Sequence, residues 1–307
     1  MAQRGTALDM KDDPRRPNLF IIGAMKSGTS SLHAYLDAHP EIFMSRQKEP
    51  GYFLKEFTWG RGEDWYLSLF GGGESCRYRG ESSTHYTKLP RFQGAAERLA
   101  EHCPDARLIY LMRDPIERII SHYWHMVMSH DEDRPMLEAV QRNPQYLHVS
   151  NYPMQLEPWF ARFPRDRILT MTFEALVADP DTRLREIFSW LGVDPDFTPE
   201  NCGRSYNAGA ARFVKPRGEG WLNRLRFSRF WDVASRVVPA PVRALGRRLA
   251  VREFDRGREP IEPVIEHLRP RVQPWIRELE SLLGREFPEW ATSLGQPASP
   301  RRAGSGD

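Results

Sequence analysis

The loop that follows the first apolar segment carries residues suited to binding a phosphate group. Residues 18–23 (NLFIIG) form a short apolar run, and the apolar side chains of residues 28–38 have helical spacing. The first N–H groups of a helix have no intrahelical partner, and the helix dipole adds positive potential there. The loop and the helix start supply Lys26, Ser27, Gly28, Thr29, Ser30 and Ser31. These residues predict a phosphate site at the end of a strand.

The position of the lysine distinguishes this loop from that of nucleoside triphosphatases. The Walker A pattern, G-x-x-x-x-G-K-[ST], places lysine directly after the second glycine, where this chain has Thr29. Here Lys26 lies two residues before Gly28. A lysine at this position reaches less far from the loop, which fits a donor with fewer phosphates. The hydroxyl group that would hold magnesium in a nucleoside triphosphatase is expected to contact a phosphate directly. The alternative is an ordinary strand-to-helix turn with a serine cap.

A second set of anion-binding residues follows the strongest predicted strand, residues 106–112 (ARLIYLM). Arg113 comes directly after this strand, and Ser121 lies eight residues further on, in a helix predicted over 115–128. Ligands of open α/β sheets bind outside the carboxyl ends of the strands. An arginine fork with a hydroxyl is a good clamp for a terminal phosphate. We therefore predict a second phosphate site here. The alternative is that Arg113 pairs with Asp114 or caps the helix.

Strands and helices alternate along the body of the chain. The remaining strands are predicted at 41–44, 78–82 and 167–172, and the remaining helices at 64–70, 92–102 and 181–191. Strands separated by helices are typical of βαβ units around a parallel sheet. The predicted fold is α/β and P-loop-like, with three layers and a central parallel sheet flanked by helices. Residues 18–295 are expected to form one domain between disordered tails at 1–17 and 296–307.

The composition is that of a globular protein, and we expect a cytoplasmic location. The 307 residues are 40% hydrophobic, and no apolar run approaches the roughly 20 residues of a membrane-spanning helix. The N-terminus lacks the apolar stretch of a secretory signal. Three cysteines are too few and too scattered for a disulfide framework or a zinc site. Reduced thiols and no bound metal are expected.

Positive charge is concentrated in residues 204–258. This segment holds 13 arginines and one lysine against four acidic residues, although the whole chain has a net charge of only +3. Within it, residues 221–238 have apolar side chains at helical spacing. We interpret the segment as a basic helical flap. The alternatives are a surface for an anionic acceptor and a peripheral membrane contact through 221–250. Nucleic-acid binding is not expected, because no recognised module accompanies the charge.

Together, the two anion motifs resemble those of sulfotransferases that use 3′-phosphoadenosine 5′-phosphosulfate (PAPS). Residues 24–31 are similar to the family's 5′-phosphate loop, and its 3′-phosphate motif matches Arg113-Asp114-Pro115 with Arg118, Ser121 and Tyr123. The likeness is greatest to the heparan sulfate N- and 3-O-sulfotransferases and their bacterial relatives. Residues 48–53 (KEPGYF) and 80–86 (GESSTHY) match further segments of these enzymes, which have lysine where this chain has Ser82. Residues 279–290 look like their closing helix.

The resemblance implies an enzyme that transfers a sulfuryl group from PAPS, as co-substrate, to a hydroxyl or amine of a carbohydrate, glycolipid or small metabolite. It implies Glu49 as the base, Lys26 as the group that stabilises the leaving phosphate, and His125 near the acceptor. Lys48 is expected to help neutralise the sulfuryl oxygens. The residues implied to bind PAPS are Lys26, Ser27, Gly28, Thr29, Ser30, Ser31, Arg113 and Ser121, with Lys215 and Arg217 in the counterpart of a late cosubstrate loop.

Other interpretations of these residues stay open at the level of sequence. His85 is a rival base, because related cytosolic enzymes use histidine, whereas a packed or surface role is expected for His122. A nucleotide kinase of the same architecture would need a Walker lysine and a magnesium site, and neither is found. A non-catalytic anion- or membrane-binding protein built on the basic segment would have no need of Lys26, Glu49 and Arg113. The sequence makes no prediction of oligomeric state.

Overall fold

The computed structural model describes residues 13–129, 132–203 and 259–296, and the backbone of two further strands within 212–255. Five strands pair in parallel in one sheet: β1 (Leu19–Gly23), β2 (Ile42–Met44), β3 (Tyr78–Ser82), β4 (Arg107–Met112) and β5 (Ile168–Thr172). The other two, β6 (Arg212–Pro216) and β7 (Val251–Asp255), form a separate antiparallel pair. The predicted α/β fold with a central parallel sheet is confirmed.

The central strands are apolar on both faces because helices cover both sides of the sheet. All residues of β1 are buried, and they alternate between two cores. Phe20 and Ile22 pack into one core, whereas Leu19 and Ile21 pack into the other. This two-sided burial explains why β1 and β4 are continuous apolar runs in the sequence.

The helices lie between and after the strands, and several begin at a local cap. Asp114 accepts the N–H groups of Ile116 and Glu117 at the start of one helix (3.0 and 3.2 Å), and Asp179 caps another. The described helices are α1 (Thr29–Asp37), α2 (Glu63–Ser68), α3 (Ala95–His102), α4 (Pro115–Met128), α5 (Met136–Arg142), α6 (Gln145–His148), α7 (Tyr152–Phe160), α8 (Phe173–Ala178), α9 (Pro180–Leu191), α10 (Glu262–Leu283) and α11 (Ala291–Leu294).

The order of the strands, β2-β3-β1-β4-β5, makes β1 and β4 direct neighbours. The chain leaves β1 toward one edge of the sheet, where β2 and β3 lie, and leaves β4 toward the opposite edge, where β5 lies. Diverging connections of this kind leave a crevice at the carboxyl ends of the two strands, which is where ligands bind in open α/β sheets. The fold thus brings the phosphate loop after β1 beside Arg113 after β4.

Several elements differ from the sequence prediction. The closing helix α10 begins at Glu262 rather than near Leu279, and it continues through Pro270 and Pro274. Helices α5, α6, α7, α8 and α11 were not predicted. Residues 13–17, predicted as part of the N-terminal tail, contact the core, where Arg79 donates to the Arg16 carbonyl (2.9 Å).

The basic helical flap predicted at 204–258 lies outside the described residues, except for the backbone of β6 and β7. The same holds for residues 1–12 and 297–307 of the predicted tails. No helix in the described ranges is long and apolar enough to cross a membrane.

Candidate active site

One cleft collects most of the side chains that the sequence predicted for the site. It has a volume of about 380 Å³ and opens beside the loop after β1 and the start of α4. The predicted residues that line it are Lys26, Gly28, Thr29, Ser30, Ser31, Lys48, Glu49, His85, Arg113, Ser121 and His125. These residues come from widely separated parts of the chain, so their convergence is a property of the fold.

The phosphate loop has the geometry that an anion site needs. Gly28 precedes α1 with φ of +87°, a left-handed conformation that favours glycine, and no side chain caps the helix. A Cβ atom on Gly28 would lie 2.7 Å from the ring of Phe173. The N-terminus of α1 therefore faces the cleft without a side-chain cap, with Lys26, Thr29, Ser30 and Ser31 around it.

Backbone strain marks two of the three residues that the family resemblance assigned to catalysis. Lys26 has φ of +71° and Glu49 has φ of +57°, and they are the only non-glycine residues with positive φ in the described chain. Such conformations cost of order 1–3 kcal/mol and cluster at functional sites. The structure thus carries an independent signal at these positions.

The Glu49 carboxylate is held by the turn that follows β3. It accepts the backbone N–H of Thr84 at 2.8 Å, and its Oε2 lies 3.2 Å from Nδ1 of His85. Lys48 Nζ lies 3.6 Å from Oε1. Burial opposes ionisation of Glu49, but the contact with His85, the Lys48 charge and the Thr84 N–H together hold its pKa below the ordinary value. Glu49 is therefore an ionised proton acceptor at neutral pH.

A network of buried hydrogen bonds attaches the loop containing Glu49 to strand β3 and to the residue that follows it. The Glu49 N–H donates to the Ser82 carbonyl (2.9 Å), and the Gly51 N–H donates to Ser83 Oγ (2.9 Å). Ser83 Oγ in turn donates to Glu81 (2.7 Å), a fully buried carboxyl that Tyr66 and Tyr86 also contact. Burial raises the pKa of Glu81 to about 7. The network holds the backbone of the Glu49 loop in place, and its side chains do not line the cleft.

Arg113 reaches the cleft from the end of β4. The Tyr152 hydroxyl donates to its carbonyl (2.6 Å) and accepts its N–H (3.2 Å), which fixes the backbone. Its guanidinium lies over the ring of Phe173 and 3.4 Å from Glu117. Asp114 is not its partner, because that carboxylate caps α4 and also accepts the Ser293 hydroxyl (2.6 Å).

Helix α4 presents a second pair of side chains to the cleft. Ser121 and His125 are four residues apart and line it together, as expected for one face of a helix. His122 points away and packs against Tyr146, where burial holds its pKa well below the ordinary value. The sequence left a packed and a surface role open for His122, and the structure shows the packed one.

Three side chains that the family motifs assign to the phosphate sites, those of Ser27, Arg118 and Tyr123, do not line the described cleft. The Ser27 side chain is fully buried. Arg118 and Tyr123 were assigned to the phosphate motif, but both side chains are buried in the core. Lys215 lies in β6, and only its backbone is described, whereas Arg217 lies outside the described residues.

Arg118 stabilises the fold rather than binding a phosphate, and its replacement tests this role. Its guanidinium contacts the Ser150 hydroxyl and donates to the Tyr146 carbonyl (2.6 Å), and burial lowers its pKa to about 10. We expect Arg118→Ala to lower the free energy of unfolding by about 2–5 kcal/mol, the range for emptying a buried site. Urea denaturation measures this loss. Weakened binding of the bisphosphate product at unchanged stability would return Arg118 to the site.

The cleft also contains residues that the sequence did not predict: Met25, Thr84, Lys88 and Phe173. Thr84 and Lys88 lie in or just after the quoted 80–86 segment, so their positions could have suggested them. Phe173 follows β5 just as Arg113 follows β4, and this strand-end position was the available signal. Among the described residues, no group of three potential metal-binding side chains is present.

Comparison with known proteins agrees with this site. The profile of the sulfotransferase family matches residues 61–199. The heparan sulfate glucosamine 3-O-sulfotransferase 3A1 of Mus musculus is 27% identical over 231 residues, which cover 71% of this chain and 57% of that protein. The bifunctional heparan sulfate N-deacetylase/N-sulfotransferase 3 of Homo sapiens is 28% identical over 204 residues, which cover 60% of this chain and 23% of that protein.

A solved structure extends the likeness to nearly the whole chain. The crystal structure of a sulfotransferase from Alicyclobacillus acidocaldarius superposes with a TM-score of 0.62 at 25% identity, covering 90% of this chain and 98% of that one. By contrast, the matched region spans only about half of the mouse enzyme. These matches agree with the strand-end anion sites and the strained Lys26 and Glu49: the chain is similar to sulfotransferases, whose family profile matches residues 61–199.

Proposed function

We propose that the protein transfers a sulfuryl group from PAPS to a hydroxyl or amine of an acceptor. The observation that carries this proposal is the convergence of three groups in one cleft. These are the uncapped start of α1 with Lys26, the Arg113 and Ser121 pair, and the ionised Glu49. A donor with phosphates at two separate positions needs two anion sites. Transfer to a hydroxyl also needs a base that takes the proton of the acceptor.

Each of these residues has a separate role in the proposed reaction. The acceptor oxygen or nitrogen forms a bond to sulfur while the bond from sulfur to the phosphate oxygen breaks. The electron pair stays on the phosphate, where Lys26 and the N–H groups of α1 stabilise it. The acceptor proton passes to Glu49. Arg113 and Ser121 hold the 3′-phosphate, so the donor is oriented for in-line attack.

The acceptor is proposed to be a carbohydrate, a glycolipid or a small metabolite. The matched relatives named above are heparan sulfate enzymes, which favours a carbohydrate. His125 is proposed to lie beside the acceptor, because it shares a face of α4 with Ser121 and lines the same cleft. A cytoplasmic location, with or without peripheral contact with a membrane, remains part of the proposal.

A nucleotide kinase is the main rival. It would require lysine directly after Gly28, but Thr29 stands there and begins α1. Lys26 instead lies within the loop, in a left-handed conformation. No side-chain geometry in the cleft favours the kinase over the sulfotransferase.

The donor class is tested by thermal unfolding. We expect 3′-phosphoadenosine 5′-phosphate (PAP) to raise the melting temperature without magnesium, because ligand binding to the native state shifts the unfolding equilibrium. ATP at the same concentration should stabilise less. A requirement for magnesium, or a preference for ATP, would support the kinase instead. Incubation with PAPS and a panel of acceptors, followed by mass spectrometry for one added sulfuryl group, then identifies the acceptor.

A further inference from the structure

Lys88 is a cation in the cleft that no protein group neutralises by contact. It is half-buried, and among the described residues its ammonium has no hydrogen-bond acceptor and no ion-pair partner. The other cations of the cleft are engaged: Lys48 donates to Ser30 Oγ (2.6 Å), Arg113 contacts Glu117 (3.4 Å), and Lys26 also has a partner.

The fold holds the backbone of Lys88 on both sides. The preceding Thr87 hydroxyl donates to the Ile22 carbonyl (2.8 Å), at the end of β1. The following Leu89 forms two hydrogen bonds with the buried Gln155 side chain, which accepts its N–H (2.8 Å) and donates to its carbonyl (3.0 Å). The lysine therefore projects into the cleft from a fixed support rather than from a mobile surface loop.

An ammonium in this position is held at a cost. Burial lowers the pKa of Lys88 to about 8. The charges of Arg118 and Arg91 also lower this pKa, whereas the charge of Glu49 raises it. Such a group gains most from an anion that enters the cleft, because charge interactions are stronger where water is partly excluded.

The position of Lys88 indicates which anion this is. The two phosphates of the proposed donor already have their sites, at the start of α1 and at Arg113. Lys88 instead belongs to the same turn as Thr84 and His85, whose atoms contact the Glu49 carboxylate. Lys88 also feels the charge of Glu49, the proposed base, so it lies on the side of the cleft from which the proposed reaction takes the acceptor proton.

We propose that Lys88 binds the sulfuryl oxygens of the donor and stabilises their charge during transfer. This inference rests on the proposed function. Lys88 is then a catalytic residue that the sequence motifs did not predict. It makes the contact with the sulfuryl oxygens that was expected of Lys48.

Two ligands that differ only in the sulfuryl group test the proposal. We expect Lys88→Met to weaken binding of PAPS by about 10- to 100-fold, the usual effect of losing a charged hydrogen bond, while the affinity for PAP stays unchanged. Isothermal titration calorimetry without acceptor measures both affinities. The turnover number should fall by at least the same factor, and Lys88→Arg should recover part of it. Lys55→Met, at an exposed position outside the cleft, is the matched control.

Other results would overturn the assignment. Equal losses for PAP and PAPS would mean that Lys88 binds a phosphate, and a change confined to the KM of the acceptor would place it in the acceptor site. If Lys88→Met does not fold, Lys88→Gln is measured in its place with the same criteria. If wild-type protein binds neither PAP nor PAPS, the proposed function itself fails, and this inference fails with it.

Discussion

Replacing Glu49 with glutamine is expected to lower turnover by about 10²–10⁴-fold, the usual contribution of a general base. Glutamine keeps the size of the side chain and can still accept the Thr84 N–H, but it cannot take a proton. The affinity for PAP should stay near the wild-type value, because Lys26, Arg113 and Ser121 hold the donor. Steady-state kinetics and calorimetry measure the two effects separately.

The pH dependence of turnover provides a second measurement on Glu49. Its pKa lies below the ordinary value of 4.5, and the ionised form is the base. Activity that depends on Glu49 should therefore be full at neutral pH and be lost as the pH falls through this lowered pKa. This acid limb should be absent from the residual activity of Glu49→Gln, measured where both proteins remain folded.

Two histidine variants decide between Glu49 and its rivals. His85 lies 3.2 Å from the Glu49 carboxylate, so the pair could also act with histidine as the base and Glu49 as its orienting group. His85→Ala and His125→Ala should each keep more activity than Glu49→Gln. An inactive histidine variant beside an active Glu49→Gln would contradict our assignment and make that histidine the base.

Arg113→Ala is expected to weaken donor binding by about 2–5 kcal/mol, or roughly 30- to several thousand-fold, because a charged fork to a phosphate is lost. The guanidinium lies over the Phe173 ring and 3.4 Å from Glu117, on the lining of the cleft. Calorimetry with PAP measures the loss directly.

The conservative variant separates charge from geometry at this site. Arg113→Lys should bind PAP with intermediate affinity, since it keeps the charge but loses the two-pronged hydrogen bonding. Arg142→Ala, on the exposed face of α5 where Arg142 pairs with Glu138, is the matched control and should bind normally. A folded Arg113→Ala protein with unchanged affinity would remove Arg113 from the phosphate site.

The sequence alone predicted the elements whose patterns are local. The strands β1 and β4 were predicted because burial on both faces requires continuous apolar runs. The phosphate loop was predicted because the glycine, the lysine and the hydroxyls are adjacent in the chain. Helix α10 shows the limit of this approach, because only its C-terminal part was predicted, although Val264, Leu268, Val272 and Ile276 form a buried stripe at helical spacing. Pro270 and Pro274 lie inside this helix, where proline is normally disfavoured.

The tertiary structure decided which of the candidate residues meet. Arg118 and Ser121 are three residues apart, so helical periodicity places them on neighbouring parts of α4 and does not separate them. Only the contacts of Arg118 with Ser150 and Tyr146 show that Arg118 is the buried one. Likewise, Lys88 was one lysine among six in the sequence. It became a site residue because Ile22 and Gln155, which are distant in the chain, hold its neighbours beside the cleft. Contacts between distant segments depend on the order of the strands, and no local pattern in this sequence encodes the placement of β1 beside β4.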